Sequence, residues 1–255
     1  LQEAPIGALR GSAPHRAAAW GGAASASFAP QHYEAGYAYP LLVWLHDAGG
    51  NEQQLRRMMP RVSMRNYVAI APRGTLELGR PARPDRRRPP SGPAPSLRQR
   101  VRPAKVSGFD WEQTDSGIEE AAARVFGAIE SAAQRYHIHP SRIFLAGSGS
   151  GGTMALRIGW SQPRRFAGLA SLGGPVPTDL CPLRCVNEIR RLPLLVATAR
   201  QSRFYPEQRA CDDLRLLHAA GCTVALRQYP GGDELTDGIL ADLNRWIMEL
   251  VCGEG

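Results

Sequence analysis

Residues 142–157, Arg-Ile-Phe-Leu-Ala-Gly-Ser-Gly-Ser-Gly-Gly-Thr-Met-Ala-Leu-Arg, leave few options for the chain around them. Ile143, Phe144 and Leu145 form a short apolar run, as in a strand covered on both faces. Gly147 to Gly152 is a tight Gly/Ser turn, and Thr153 to Trp160 reads as the start of a helix. A strand that bends into a helix within so few residues needs positive φ at the centre of the bend. Gly149 stands there and takes that conformation without strain. Ser148 and Ser150 flank it and read as turn residues whose hydroxyls bond nearby backbone N–H groups.

The same rhythm of strand and helix extends to both sides. Leu41 to Leu45 is a continuous apolar run that ends at His46-Asp47-Ala48-Gly49-Gly50-Asn51. A helix carrying Leu55, Met58 and Met59 follows, closed by Pro60. Further strands are expected at Tyr67–Ala71, Phe166–Leu172, Leu194–Ala197 and Thr223–Tyr229, with Tyr33–Tyr39 as an edge strand. Thr114 or Asp115 caps a long helix through Tyr136, whose buried face carries Ile118, Ala122, Val125, Ile129 and Ala133. Helices are also expected at Glu207–Ala220 and Thr236–Val251. Alternating strands and helices predict an α/β fold, a doubly wound and mostly parallel sheet in a single domain. Residues 33–255 form that domain, and residues 1–32, rich in Ala, Gly and Ser, read as an irregular N-terminal arm.

One stretch breaks the rhythm. Residues 80–105 carry Arg86, Arg87, Arg88, Arg98, Arg100 and Arg102 among other basic residues, against the single acid Asp85, with seven prolines interleaved. Proline removes backbone donors and like charges repel, so this reads as an Arg/Pro-rich surface insertion. With a net charge of +8 over the 255 residues, it is the expected contact for a protein partner or acidic surface. The insertion holds no aromatic residue on which bases could stack, which disfavours nucleic acid as the partner. No run of 18 apolar residues exists to span a membrane. Cys181 and Cys185 are spaced C-x3-C without a second Cys or His pair, so no zinc site is expected. Reduced thiols are expected instead, in a cytoplasmic protein.

The segments Tyr39–Asn51, Val68–Thr75, Arg142–Leu156, Arg165–Gly174, Leu192–Pro206 and Ala219–Trp246 together resemble the phospholipase/carboxylesterase branch of the α/β-hydrolases, the small esterases and acyl-protein thioesterases. In that superfamily the strand–turn–helix is the nucleophile elbow, G-x-S-x-G. Gly147 and Gly151 match its outer glycines, and Gly149 stands at the nucleophile position. The resemblance puts the acid of the triad in Arg200-Gln201-Ser202, where Gln201 is the residue assigned, and the base at Asp233 in Gly231-Gly232-Asp233. His46 begins a loop similar to the oxyanion loop H-G-x-G-G, with Asp47 in place of its first glycine and Ala48 next. The family's reaction needs a nucleophile, a base, an orienting acid and two N–H donors. Here the three side-chain positions are Gly149, Gln201 and Asp233.

The expected protein is therefore a pseudo-esterase that serves as a binding, assembly or structural module. Its pocket would be lined by His46, Asp47, Ala48, Ser148, Gly149, Ser150, Gln201 and Asp233. The alternative is a carboxylic-ester hydrolase with a non-standard site, its nucleophile shifted to Ser148 or Ser150. No cofactor is expected. A metal held by Asp47, Asp233 and Glu234 is weighed and set aside for want of a histidine or a motif.

Overall fold

The computed structural model describes residues 24–79, 106–178 and 186–253. The basic insertion with its arginines, and Cys181 with Cys185, lie outside the described residues.

A seven-stranded sheet runs through the molecule in the order β1-β3-β2-β6-β7-β8-β9. These strands are β1 (Ser25–Phe28), β2 (Tyr39–Leu45), β3 (Val68–Pro72), β6 (Ile138–Ser148), β7 (Gly168–Leu172), β8 (Leu194–Ala199) and β9 (Val224–Tyr229). Only β1 is antiparallel to its neighbour; the other five pairings are parallel. The helices are α1 (Gln54–Val62), α2 (Asp115–Arg135), α3 (Ser150–Ser161), α4 (Val186–Arg191), α5 (Glu207–Ala219) and α6 (Asp237–Cys252). A separate ribbon pairs β4 (Leu76–Gly79) with β5 (Val106–Asp110), so the basic insertion leaves and re-enters the fold where Gly79 pairs with Val106.

The continuous apolar runs arise because both faces of the sheet are covered. Alternate residues of β2 serve opposite cores: Leu41, Val43 and Leu45 pack with α2 and α3, whereas Leu42 and Trp44 pack with α1 and α6. A strand with only one covered face would have alternated polar and apolar residues.

Four expectations about elements need correction. The arm assigned to residues 1–32 reaches too far, because Ser25–Phe28 pairs antiparallel with β3 and belongs to the domain. The edge strand is therefore β1; residues 33–38 form turns before β2, among the packed rings of Tyr33, Tyr37 and Tyr39. Pro60 lies inside α1. The helix runs on to Val62 because Met58, Met59 and Val62 bury one face, and a missing N–H near a helix end is tolerated when packing holds the turn. In α2 the fully buried stripe is Gly117, Ala121, Val125, Ile129 and Ala132, while Ala133 is exposed. Thr114 caps that helix by accepting from Gly117 N–H at 3.2 Å.

Candidate functional site

Strand β6 ends at Ser148 and α3 begins at Ser150, so the whole bend is one residue. Gly149 has φ +51° and ψ −123°. The helix starts three residues earlier than the sequence suggests, because the bend is completed by a single positive-φ residue rather than a six-residue loop. The outer glycines are steric requirements. A Cβ on Gly147 would come within 2.4 Å of Gly151 O, and one on Gly151 within 2.4 Å of His46 O. The strand, the helix start and the loop after β2 are packed backbone against backbone.

That loop is held from several sides. His46 is fully buried; its Nε2 accepts from Gly74 N–H at 3.0 Å, and its Nδ1 lies 2.8 Å from Asp47 O. Both ring nitrogens are thus engaged in structure, and burial pushes the imidazole below its ordinary pKa. Trp111 donates its indole N–H to His46 O at 2.8 Å. Gly49 and Gly50 exchange backbone hydrogen bonds with Phe109 of β5. Glu52, buried behind the loop, accepts two hydrogen bonds from Arg73, at 2.6 and 3.0 Å. The guanidinium holds this carboxyl below its ordinary range, and it also lies 4.6 Å from the centre of the Phe109 ring. Arg73→Ala would leave the buried carboxylate without its partner. Because Arg73 is itself partly in water, we expect a loss of about 2 kcal/mol in urea unfolding, and an unchanged midpoint would contradict this role.

Held this way, the loop delivers Asp47 to the bend. Asp47 Oδ1 accepts from Ala48 N–H at 2.7 Å and from Ser150 N–H at 3.0 Å. One of those groups lies just after the bend residue and the other in the loop after β2, so a single carboxylate oxygen ties the loop to the start of α3. The carboxylate also fills the volume that a side chain at position 149 would need. A Cβ built on Gly149 would lie 1.9 Å from Asp47 Oδ1 and 2.3 Å from its Cγ. The glycine at 149 and the anchored carboxylate of Asp47 are one feature.

The other expected residues divide. Asp233 does reach the site, where it accepts from Ser202 Oγ and, at 3.1 Å, from Arg203 N–H. Gln201 does not. Its backbone N–H bonds Gly231 O and its side chain is exposed, away from both cavities beside the elbow. The residue facing the base position is Ser202, whose hydroxyl oxygen also accepts from Tyr205 N–H at 2.8 Å. A serine–aspartate hydrogen bond therefore stands where the acid–histidine pair is expected. Its neighbour was assigned because a turn of three polar residues gives no signal of which one points inward.

Ser148 is buried at the end of β6. Ser150 donates its hydroxyl to Asp110 Oδ1 at 2.6 Å, and the same oxygen accepts from Trp111 N–H at 2.8 Å. Asp110, at the end of β5, ties the ribbon to the elbow, and nothing in the sequence around it marked it. A carboxylate is a weak base at neutral pH, so this contact fixes the hydroxyl rather than activating it.

Two cavities flank Asp47. One of about 580 Å³ is lined by Ala48, Gly149, Ser150, Val176 and Phe204 among others. One of about 140 Å³ is lined by Ser148, Ser202, Asp233 and Glu234 among others. Among the described residues no imidazole lines either, and no group of three His, Cys, Asp or Glu side chains could hold a metal ion. Among the described residues no helix is long and apolar enough to cross a membrane.

No family model matches the sequence. The structure is similar to that of a carboxylesterase from Mesorhizobium loti, with a TM-score of 0.61 at 17% identity over 83% of this chain and 90% of that one. It is similar to SOBER1 from Arabidopsis thaliana, with a TM-score of 0.62 at 18% identity over 84% of this chain and 100% of that one. A carboxylesterase from Bacillus cereus aligns with a TM-score of 0.61 at 15% identity over 89% and 93% of the two chains. The chain has the α/β-hydrolase fold in a single domain, as its sequence resemblance implied.

Proposed function

We propose that this chain is a catalytically silent α/β-hydrolase-fold protein whose former reaction pocket serves binding, with the basic insertion at 80–105 as the contact for a protein partner or acidic surface. The observation that carries the reading is the position of Asp47. Its carboxylate already accepts the two N–H groups that would otherwise stabilise a tetrahedral oxyanion. A second negative oxygen cannot share that pair without strong repulsion at close range. The nucleophile position is a glycine, and Ser202 with Asp233 supplies neither a good base nor a charged orienting acid for one. The basic insertion enters on its charge alone.

A second reading, carboxylic-ester hydrolysis from a non-standard site, is the one the structural neighbours favour, because two of those named above are carboxylesterases. Its specific support in this chain is the Ser150–Asp110 contact beside the larger cavity. One pair of measurements separates the two. A fluorophosphonate probe should leave the protein unlabelled, and p-nitrophenyl acetate should be hydrolysed at the rate seen with Ser150→Ala. A covalent adduct on Ser150 or Ser148, with turnover lost in the matching alanine variant, would establish the hydrolase and end the first reading.

A further inference from the structure

The larger cavity beside the elbow, about 580 Å³, carries opposite charge at its two ends. Asp47 and Ser150 line it at the elbow. Along α3 the lining continues through Thr153 to Arg157, seven residues on and so about 10 Å from Ser150 along the helix axis. Thr153 donates its hydroxyl to Pro175 O at 2.8 Å, which lays Pro175 and Val176 over that part of the helix. Val176 N–H donates in turn to the buried Asp213 at 3.1 Å, and this brings in α5 with Arg209. Two guanidiniums, those of Arg157 and Arg209, therefore stand beyond the elbow. Arg157 is buried and donates its Nε to Gln113 Oε1 at 2.9 Å. Arg209 is open to a ligand: 49% of its side chain is exposed, and its contact with Asp213 Oδ2 is a long one, 3.9 Å from Nε. Among the described residues no hydrogen bond occupies its terminal nitrogens. Between the two ends the wall is apolar, formed by Pro175, Val176 and Phe204, and the 72% exposed ring of Phe204 carries that surface out into solvent. Apolar walls with a few placed polar groups are the make-up of a small-molecule site.

We infer that this cavity binds a medium-chain monocarboxylate, with its carboxylate on Arg209 and its alkyl chain running back along α3 towards the elbow. The planar guanidinium fork matches two carboxylate oxygens, and the Arg157 charge adds to the attraction at that end. Asp47 sets the direction. An anion placed at the elbow would meet a fixed carboxylate, so only the uncharged tail of the ligand fits there. This orientation is the reverse of what an ester substrate needs, whose carboxyl group must lie at the bend. The inference rests on the reading of the pocket as a binding site.

The test is calorimetric titration of the whole protein with sodium octanoate, alongside 1-octanol, octylammonium chloride and sodium acetate. Octanoate should bind, and each of the others at least about tenfold more weakly, because each lacks either the charge or the chain. Arg209→Gln should weaken octanoate about tenfold, the value of one charge-assisted hydrogen bond. Phe204→Ser should weaken it about fivefold through lost apolar contact; that ring lies mostly in solvent, so a folding defect cannot account for the loss. In the complex, nuclear Overhauser contacts from the terminal methyl of octanoate should reach Ala48. Octanol, octylammonium or acetate binding as tightly as octanoate, both variants binding it like the wild type, or methyl contacts falling on Arg209 instead would each overturn the assignment. Absence of octanoate binding in a protein that also leaves p-nitrophenyl acetate intact would remove this inference and leave the silent-fold reading standing. Turnover of that ester would instead remove the reading beneath it.

Discussion

Gly149→Ala should destabilise the protein by about 4 kcal/mol, far more than adding one methyl group elsewhere on an elbow of this kind. Two costs combine. A residue with a side chain held at φ +51° and ψ −123° carries backbone strain of about 1–3 kcal/mol. The new Cβ would also fall 1.9 Å from Asp47 Oδ1, an overlap that must be relieved by moving a carboxylate anchored on two N–H groups, at a further 1–3 kcal/mol or so. The two can be separated by a double-mutant cycle in urea. Asp47→Gly should cost about 2 kcal/mol on its own, because it forfeits both charge-assisted hydrogen bonds to water. Combined with Gly149→Ala it should cost less than the sum, with a coupling of about 2 kcal/mol. Strict additivity would mean that the carboxylate does not occupy the space above the bend.

Restoring the chemistry should require four substitutions, one of them at a position outside the triad. Gly149→Ser supplies the attacking oxygen, Asp233→His the base and Ser202→Asp the orienting acid. Asp47→Gly clears the oxyanion donors and makes room for the serine. We expect p-nitrophenyl acetate hydrolysis at least about 10³-fold faster than in the same protein carrying alanine at 149. The three-substitution protein that keeps Asp47 should remain inert, as should a version with Gln201→Asp in place of Ser202→Asp. Equal activity with and without Asp47 would show that the carboxylate is not the block. A folded but inert quadruple variant would mean that the loops have moved out of catalytic register, whatever their side chains.

Much of this was legible beforehand. Gly149 was legible as the centre of a Gly/Ser turn between strand and helix, where glycine takes positive φ without strain, although the shortening of that turn to a single residue was not. His46 was readable as the start of the loop after the first apolar run, and the structure uses both of its ring nitrogens to hold that loop. Asp47 was readable as a carboxylate standing where the resemblance expects a loop glycine. What could not be read was that its carboxylate enters the donor pair itself, since that depends on a rotamer and on where Ser150 N–H points. Choosing Ser202 over Gln201 had the same character: neighbouring residues in a turn differ by where their side chains project, and composition does not encode that. The ribbon of β4 and β5, with Asp110 reaching Ser150, was missed because Leu76–Gly79 is too short and too polar to stand out as a strand. The contact it makes joins residues 40 positions apart.

The sequence alone determined the layered α/β architecture, because apolar runs of strand length between amphipathic helices can bury their surface in few other ways, and it determined that a glycine would stand at the centre of the bend. The tertiary structure decided what fills the gap. Hydrogen-bond partners 103 residues apart, Asp47 and Ser150, meet only when the sheet has formed and its strand ends lie side by side. Strand order and loop packing put the Asp47 carboxylate on the first N–H of α3; local patterns set which elements form, but not which of their ends come within three ångströms of one another.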